Sequence, residues 1–471
     1  MFLLLASNLL FPFVIGEPLT YGWLIAEHKW IPHRDFVDQH TQGLPLLIAG
    51  LTFLTKDALL ASRMVFLLFP ILTAGLLAWA ARWMFADRRA AILAPLIFTA
   101  WYVMWAKNTA WFHDPIVFLA PLSILLLLHP RLQEQLLQSG ASGLAFGTAL
   151  LFKQTAIVFL PILLLVILRS RNRLGIVVFL AAVCIPILLY LTFFAVNDSF
   201  TTMIQQAVVE ARILQTYNQA YFGLYIAPPK VSTLLQLSFV LILIPATIMM
   251  VKQQGRKFSM LILILSAIAA MTFSYPQLTL QHASLATPFL ALLATGFLLK
   301  KTLTAGGAAT GPAAVVLFIL FLTLLPQLPR AMTFLQKGSP QTSTYTQVVG
   351  EIQRLMDPNE KIVICCGEPR YYFDSQRIPA TKYLFFSELA GALDWDRKMT
   401  EELNTNRPQH IVYSPTYFDI SQNDPAIYSE AFAEKKKTAS AFLPIFEEEL
   451  NRSYQPIATI SPTIHVLRRT R

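Results

Sequence analysis

Charged residues are scarce in this chain of 471 residues: Asp, Glu, Lys and Arg together make up 14%, and hydrophobic residues make up 55%. Ordinary soluble domains carry about 25% charged residues. The scarcity is confined to residues 1–330, where one apolar run follows another, and charges return throughout 331–471. The composition excludes an ordinary soluble protein. It predicts a polytopic, mainly α-helical membrane domain over 1–330, followed by one soluble domain over 331–471.

Motifs of several common enzyme classes are also missing: G-x-G-x-x-G, the P-loop and G-x-S-x-G do not occur. The three cysteines have no zinc-site spacing, and the adjacent pair Cys365 and Cys366 is poorly placed for a mutual disulfide. Basic cytoplasmic loops and a basic tail explain the net charge of +10, so we expect no nucleic-acid partner. The run Phe2–Ile15 lacks a signal-peptide pattern and is short for a span, which favours further residues before Met1.

Hydropathy predicts roughly eleven membrane spans. Their approximate bounds are 2–16, 59–83, 90–106, 115–129, 141–152, 156–168, 174–196, 232–251, 258–274, 284–299 and 311–329. With a cytoplasmic N-terminus, the inner connections are mostly basic, as the positive-inside rule requires. Segment 44–55 is too short to cross and is predicted to lie on the outer surface or to dip into the membrane as an interfacial helix. The amphipathic stretch within 200–226 is also predicted to lie on that surface.

This topology places the polar motifs and the soluble domain on the outer, extracytoplasmic face. The soluble domain has the pattern of a small α/β fold. Its predicted helices cover 345–356 and 396–405, and its predicted strands cover 361–366, 410–413 and 464–468.

An unusual density of ionisable residues follows the first apolar run, within 17–43. Charge beside a bilayer is costly, so the cluster is a candidate functional site. Glu17 is a candidate general base for an acceptor hydroxyl. The alternative is that Glu17 stabilises the N-terminus of a helix over 19–29.

The motif RDFVDQH lies in the same cluster. Its Asp35, Asp38 and His40 could bind a divalent cation or the hydroxyls of a sugar. The alternative is that Arg34 pairs with Asp35 or Asp38 and stabilises the loop. The spacing leaves a cation requirement open.

Two further candidates lie at the ends of predicted spans. Asp114 begins the apolar run after a polar loop, so it is either a helix cap or a site residue. Lys153 separates two short apolar runs; it could extend its ammonium towards water, but we favour contact with a lipid phosphate in a cavity. A later polar loop supplies the candidate substrate-binding residues Tyr275, Gln281 and His282, for which an ordinary turn is the alternative.

The run WLIAEHKWIPHRDFVDQH (Trp23–His40) resembles the first outer loop of bacterial family 39-like glycosyltransferases. These belong to the GT-C superfamily and are related to protein O-mannosyltransferases and the lipid A aminoarabinose transferase. The family pattern P-Y-R-D-F-x-D-x-H-P-P appears as Pro32 to His40, followed by Thr41 and Gln42 in place of the two prolines. Where family members often have Asp-Glu after the first span, this chain has one acid, Glu17.

Other segments resemble the family in the same order. They are HDPIVFLAPL with Asp114, GLAFGTALLFKQTAIVFLP with Lys153, YPQLTLQHASLATPFLALL, and the tail from KIVICCGEPRYYFDSQRIPATKYLFF to RPQHIVYS.

The resemblance implies an inverting transfer of a sugar from a polyprenyl-phosphate donor to a hydroxyl of a lipid, glycan or protein acceptor, in the bacterial cytoplasmic membrane. Glu17, or else Asp35, would be the base. Asp114 and Asp38 would orient the acceptor or a divalent cation, for which His40 is a further candidate ligand. The cations that would stabilise the departing phosphate are Lys153 and Arg34.

Two other classes of function remain open at this stage. A transporter or lipid flippase predicts internal repeats and charges near the membrane midplane. The candidate residues instead collect on one face, which favours an enzyme. A non-catalytic scaffold would tolerate loss of Glu17 and Asp114.

Overall fold

The computed structural model describes residues 16–105, 112, 114–129, 136–169, 173–213, 225–226, 257–272, 277–278, 284–304, 343–365, 369–384, 393–414, 443–461 and 464–470. Contacts divide the chain into two compact units. The first comprises Met1–Val14, Arg63–Thr192 and Pro229–Ser339, and the second comprises Ile15–Ser62, Phe193–Pro228 and Pro340–Arg471. The second unit therefore draws on three separate stretches of sequence.

Helices dominate the described residues. In chain order they are α1 (Gly16–His28), α2 (Gly43–Thr55), α3 (Ala58–Phe85), α4 (Ala90–Trp105), α5 (Asp114–Leu128), α6 (Leu136–Phe152), α7 (Leu160–Arg169), α8 (Arg173–Val196), α9 (Phe200–Ile204), α10 (Lys257–Thr272), α11 (Thr287–Thr304), α12 (Ser343–Leu355), α13 (Arg370–Ser375), α14 (Trp395–Asn406) and α15 (Pro444–Ser453). Two 3-10 turns, Gln154–Phe159 and Ser284–Ala286, precede α7 and α11, and a π turn, Gln205–Glu210, continues α9.

The strands are short except near the C-terminus. They are β1 (Tyr225–Ile226), β2 (Gln277–Leu278), β3 (Lys361–Ile364), β4 (Ile378–Pro379), β5 (His410–Tyr413), β6 (Tyr454–Ser461) and β7 (Ile464–Arg469).

Every predicted span that falls within the described residues coincides with a helix. The predicted spans 232–251 and 311–329, and the first one up to residue 15, lie outside the described residues. By length and composition, two described helices, Ala58–Phe85 and Arg173–Val196, could cross a membrane, and the other apolar helices have 10–17 residues. The number of spans and their placement remain predictions, as does the division at residue 330.

Glycines allow α6 and α8 to pack closely in the first unit. A Cβ on Gly143 would lie 2.3 Å from the carbonyl oxygen of Phe179, and one on Gly147 would lie 2.4 Å from that of Val183. The two glycines form a G-x-x-x-G pattern, which lets helix backbones approach in apolar surroundings. The segment GLAFG before Lys153 thus has a packing role.

The second unit contains a five-stranded sheet in the order β4-β3-β5-β7-β6. β3 runs parallel to both β4 and β5, and β7 runs antiparallel to β5 and β6. The predicted helices 345–356 and 396–405 and the predicted strands 361–366, 410–413 and 464–468 are confirmed to within two residues at each end. The edge strand β6 and helix α15 had no counterpart in the sequence prediction.

Candidate functional site

The RDFVDQH loop folds back along α1, the helix that carries Glu17. The Phe36 ring stacks on the Tyr21 ring, with 4.5 Å between centroids, and both side chains are buried. Tyr21 follows Glu17 by one helical turn, about 6 Å of rise. The loop and the candidate base therefore lie side by side in the second unit. Glu17 is partly buried in the first turn of α1, where a carboxylate also stabilises the helix dipole.

Val37, the next residue, points into the hydrophobic core of the C-terminal sheet. It is 7% exposed and belongs to one cluster with Val363, Trp395 and Ile411. Its backbone N–H donates to the carbonyl oxygen of Lys382 at 2.9 Å. The C-terminal segment of the chain thus holds the motif directly, through a side chain and a backbone hydrogen bond.

Gln206, on the π turn, holds the loop from another side. Its side-chain Nε2 donates to the carbonyl oxygen of His33 at 3.1 Å. Its Oε1 accepts from His33 Nδ1 at 2.8 Å and from the Asp38 backbone N–H at 3.2 Å. Gln206 is 4% exposed, so these are buried bonds that would be costly to leave unmade.

The same contacts define the state of the His33 ring. Because the amide oxygen accepts, Nδ1 carries the proton, and Nε2 has no partner among the residues that the structure describes. Burial lowers the pKa of His33, outweighing the opposing effects of Gln206 and Asp38. The ring is therefore neutral at pH 7.

Asp38 organises the turn that leads into α2. One carboxylate oxygen accepts from the His40 backbone N–H at 3.0 Å and from His40 Nδ1 at 2.9 Å, and the other accepts from Gln42 Nε2 at 2.6 Å. Burial alone would raise the pKa of Asp38. The His40 ring and the hydrogen bonds from His40 and Gln42 outweigh it, so the pKa lies below its ordinary value. Asp38 is ionised and engaged within its own loop.

Asp35 pairs with its neighbour, which was one of the two interpretations open from the sequence. Its carboxylate accepts from Arg34 at 2.9 and 3.0 Å and from the Ile31 backbone N–H at 2.7 Å. The Arg34 side chain is 47% exposed and that of Asp35 is 29% exposed, so both can meet a ligand at the surface of the second unit.

In the first unit, a buried tyrosine holds Asp114. Tyr102 on α4 donates its hydroxyl to Asp114 Oδ1 at 2.6 Å, and the Asp114 side chain is 3% exposed. Asp114 is the first residue of α5, so it occupies the position that stabilises a helix N-terminus and is also oriented from a second helix.

Lys153 and Asp114 lie at the same end of the helix pair α5 and α6. Ser123 and Ser142 join the middles of these helices, each hydroxyl donating to the other residue's carbonyl oxygen at 2.9 Å. The connection between the helices spans 129–135, too short for any arrangement but antiparallel. From the serines, Asp114 is about 13 Å and Lys153 about 16 Å along the helices in the same direction. The partly buried Lys153 and the buried Asp114 therefore lie at about the same height along the helix pair.

The remaining candidates cannot be placed. Tyr275, Gln281 and His282 lie outside the described residues. Among the residues that the structure does describe, no group of three His, Cys, Asp or Glu side chains is arranged to hold a metal ion.

Sequence reasoning missed Tyr102 and Gln206, which hold candidate residues, and the buried carboxylate of Glu210. Gln206 and Glu210 interrupt the apolar face of the 200–213 stretch four residues apart, which was the available signal. Tyr102 lies in an apolar run and gave none.

The chain matches no protein-family model and no curated protein sequence. Solved structures do share its fold. The crystal structure of ArnT from Cupriavidus metallidurans bound to undecaprenyl phosphate matches with a TM-score of 0.57 at 13% identity, over 98% of this chain and 96% of that chain. The apo state of ArnT gives 0.55 at 14% identity, over 97% and 94%.

The apo oligosaccharyltransferase of Archaeoglobus fulgidus gives a TM-score of 0.50 at 12% identity, over 92% of this chain and 68% of that chain. Identities this low establish the fold alone. The chain has the fold of these GT-C glycosyltransferases, which confirms the expected fold class at that level. Membership of the family 39-like group within it stays a prediction.

Proposed function

We propose that the chain is a membrane-embedded inverting glycosyltransferase that moves a sugar from a polyprenyl-phosphate donor to an acceptor hydroxyl on the outer face of the bacterial cytoplasmic membrane. The observation that carries the proposal is the fold likeness along nearly the whole of both chains to ArnT, which was crystallised with undecaprenyl phosphate. In this proposal the N-terminus is cytoplasmic and the domain 331–471 is extracytoplasmic.

Glu17 takes the proton of the acceptor hydroxyl in this proposal, a step that typically contributes about 10²- to 10⁴-fold to the rate. The buried position of Asp38 supports this choice over Asp38, and Asp35 stays the alternative base. Asp38 is 5% exposed with both oxygens bound inside its own turn, and Asp35 is shared between Arg34 and a backbone N–H. Glu17 is partly exposed beside them.

The acceptor oxygen then bonds to the anomeric carbon from the face opposite the phosphate. The bond between that carbon and the phosphate oxygen breaks, and its electron pair stays on the polyprenyl phosphate. Negative charge grows on the phosphate oxygens, and a fixed cation there lowers the barrier. Lys153 is the proposed cation, and Arg34 assists it. Asp114 is proposed to orient the acceptor or a divalent cation.

Other parts of the proposal rest on the sequence alone. Tyr275, Gln281 and His282 are proposed to complete the substrate-binding wall. A divalent cation would be held by Asp38, His40 or Asp114, and chelation tests the requirement directly. The acceptor is a lipid, glycan or protein hydroxyl.

The test uses the full chain in lipid nanodiscs with a panel of radiolabelled polyprenyl-phosphate sugars and a membrane extract as acceptor, with and without a chelator. We expect donor-selective release of polyprenyl phosphate. Glu17→Gln, Asp114→Asn and Lys153→Ala should each lower the rate about 10²-fold or more. Glu27→Gln, which changes an exposed carboxylate on the same helix as Glu17, is the matched control.

A folded wild-type chain that turns over no donor would refute the enzyme proposal and favour a transporter or scaffold. Turnover that survives all three substitutions would refute the assigned roles.

A further inference from the structure

Glu210 is a buried carboxylate that the proposed reaction does not use. It ends the π turn after α9 and is 6% exposed. Its Oε2 atom has no hydrogen-bond partner among the described residues. An unsatisfied buried carboxylate is costly, and π turns occur frequently at functional sites. One oxygen of this carboxylate therefore lacks a hydrogen bond from the part of the chain that the structure describes.

The surroundings of Glu210 are defined by the contacts of Gln206, one turn earlier on the same buried face. Gln206 binds the backbone N–H of Asp38, and the preceding Val37 binds the carbonyl oxygen of Lys382. The loop therefore passes between the π turn and the C-terminal segment that contains Lys382, and Glu210 lies at this junction.

Two ammonium groups from the C-terminal segment act on Glu210. Burial raises the pKa of its carboxyl, and the charges of Lys398 and Lys382, with a hydrogen bond from Gln205, offset part of this. Both lysines have other partners: Lys382 lies 3.0 Å from Glu402, and Lys398 donates to the carbonyl oxygen of Leu393 at 3.3 Å. Each ammonium has three N–H donors, so each can also donate to a ligand. The junction thus presents one hydrogen-bond acceptor and two donors.

We propose that Glu210, with Lys382 and Lys398, binds a sugar unit of the acceptor. The carboxylate accepts a hydrogen bond from a sugar hydroxyl, and the ammonium groups donate to neighbouring oxygens. Glu402 balances the charge of Lys382, and Glu210 itself balances that of Lys398, so the inference is made for a neutral sugar. This inference rests on the proposed function, because it places the acceptor beside the loop that carries Asp35 and near the helix of Glu17.

A first experiment measures binding without any turnover. Saturation-transfer NMR on the purified full chain uses methyl glucoside as a neutral probe. We expect the neutral methyl glucoside to bind, and to bind about tenfold more weakly in Glu210→Gln, since a charge-assisted hydrogen bond is lost. Glu401→Gln, which alters an exposed carboxylate on the same C-terminal segment, is the matched control and should bind like wild type.

Equal binding of methyl glucoside by wild type and Glu210→Gln, or no binding by wild type, would overturn the inference. A second experiment, in nanodiscs, separates hydrolysis of the donor by water from transfer to extract acceptors. Glu210→Gln should keep hydrolysis and raise the acceptor KM about tenfold. Equal loss of both reactions would instead mark Glu210 as structural. If no donor turns over in wild type, the proposed function fails, and the NMR result still decides whether Glu210 binds sugars.

Discussion

Substituting one glycine should loosen the packing that supports Lys153. In Gly143→Ala the new Cβ would lie 2.3 Å from the carbonyl oxygen of Phe179 and 2.9 Å from the Cβ of Ala182. Ordinary contacts lie near 3.5 Å, so α6 and α8 must separate locally by roughly 1 Å. Overpacking of this kind costs about 1–3 kcal/mol, against a gain of up to about 1 kcal/mol from alanine in a helix.

Gly140 offers a matched control on the same helix. Among the residues that the structure describes, a Cβ there would meet Val178 Cγ1 at 3.5 Å, an ordinary contact. Gly140→Ala should therefore stabilise the protein by up to about 1 kcal/mol, so that the two variants differ by roughly 2 kcal/mol. Thermal unfolding in nanodiscs measures the difference.

The rate of donor turnover should differ between Gly143→Ala and Gly140→Ala in the same direction as their stability. Lys153 comes directly after α6, and a misplacement of about 1 Å at a catalytic group can cost about 10²-fold in rate. At temperatures where both variants are still folded, Gly143→Ala should turn over the donor more slowly than wild type, and Gly140→Ala should not. Equal stability and equal turnover of the two variants would refute the role of the close α6–α8 contact.

Two further predictions concern the loop. Gln206→Leu removes three buried hydrogen bonds, so amide hydrogen exchange over 31–42 should become faster and the rate of donor turnover should fall. Unchanged exchange would contradict the holding role of Gln206. Burial lowers the pKa of His33, so below about pH 6.5 this residue binds more protons in the unfolded chain than in the folded one. The free energy of unfolding should therefore fall as the pH is lowered, by at most about 1.4 kcal/mol per pH unit. The difference between wild type and His33→Gln in denaturation from pH 7 to 5 isolates this contribution, and parallel curves would show that His33 takes up no proton on unfolding.

The helices of residues 16–304 that the structure describes could be predicted from the sequence, because long apolar runs have few other stable forms. The C-terminal strands β3, β5 and β7 were equally clear from β-branched, apolar composition. β6 was not, since Pro456 argues against a strand. The proline is tolerated because β6 is an edge strand with β7 as its one neighbour in the sheet.

The candidate residues could be named from the sequence, but their partners could not. His33 and Gln206 are separated by 173 positions, and a hydrogen bond between distant polar side chains has no periodic signature. Val37 is a single valine in a polar loop, with nothing local to indicate that it enters the core of the C-terminal sheet. Glu210 gave only a break in an amphipathic pattern, and its environment depends on lysines far along the chain.

The position of Val37 also has a consequence for the order of folding during synthesis. Its partners in the core begin more than three hundred residues later. At about 5–20 residues per second, the ribosome needs roughly 15 to 65 s to reach the first of them. During that interval the segments that contain Asp114 and Lys153 have already been synthesised, but Val37 has no core in which to be buried. The first loop therefore reaches its final packing only after the C-terminal strands have been synthesised.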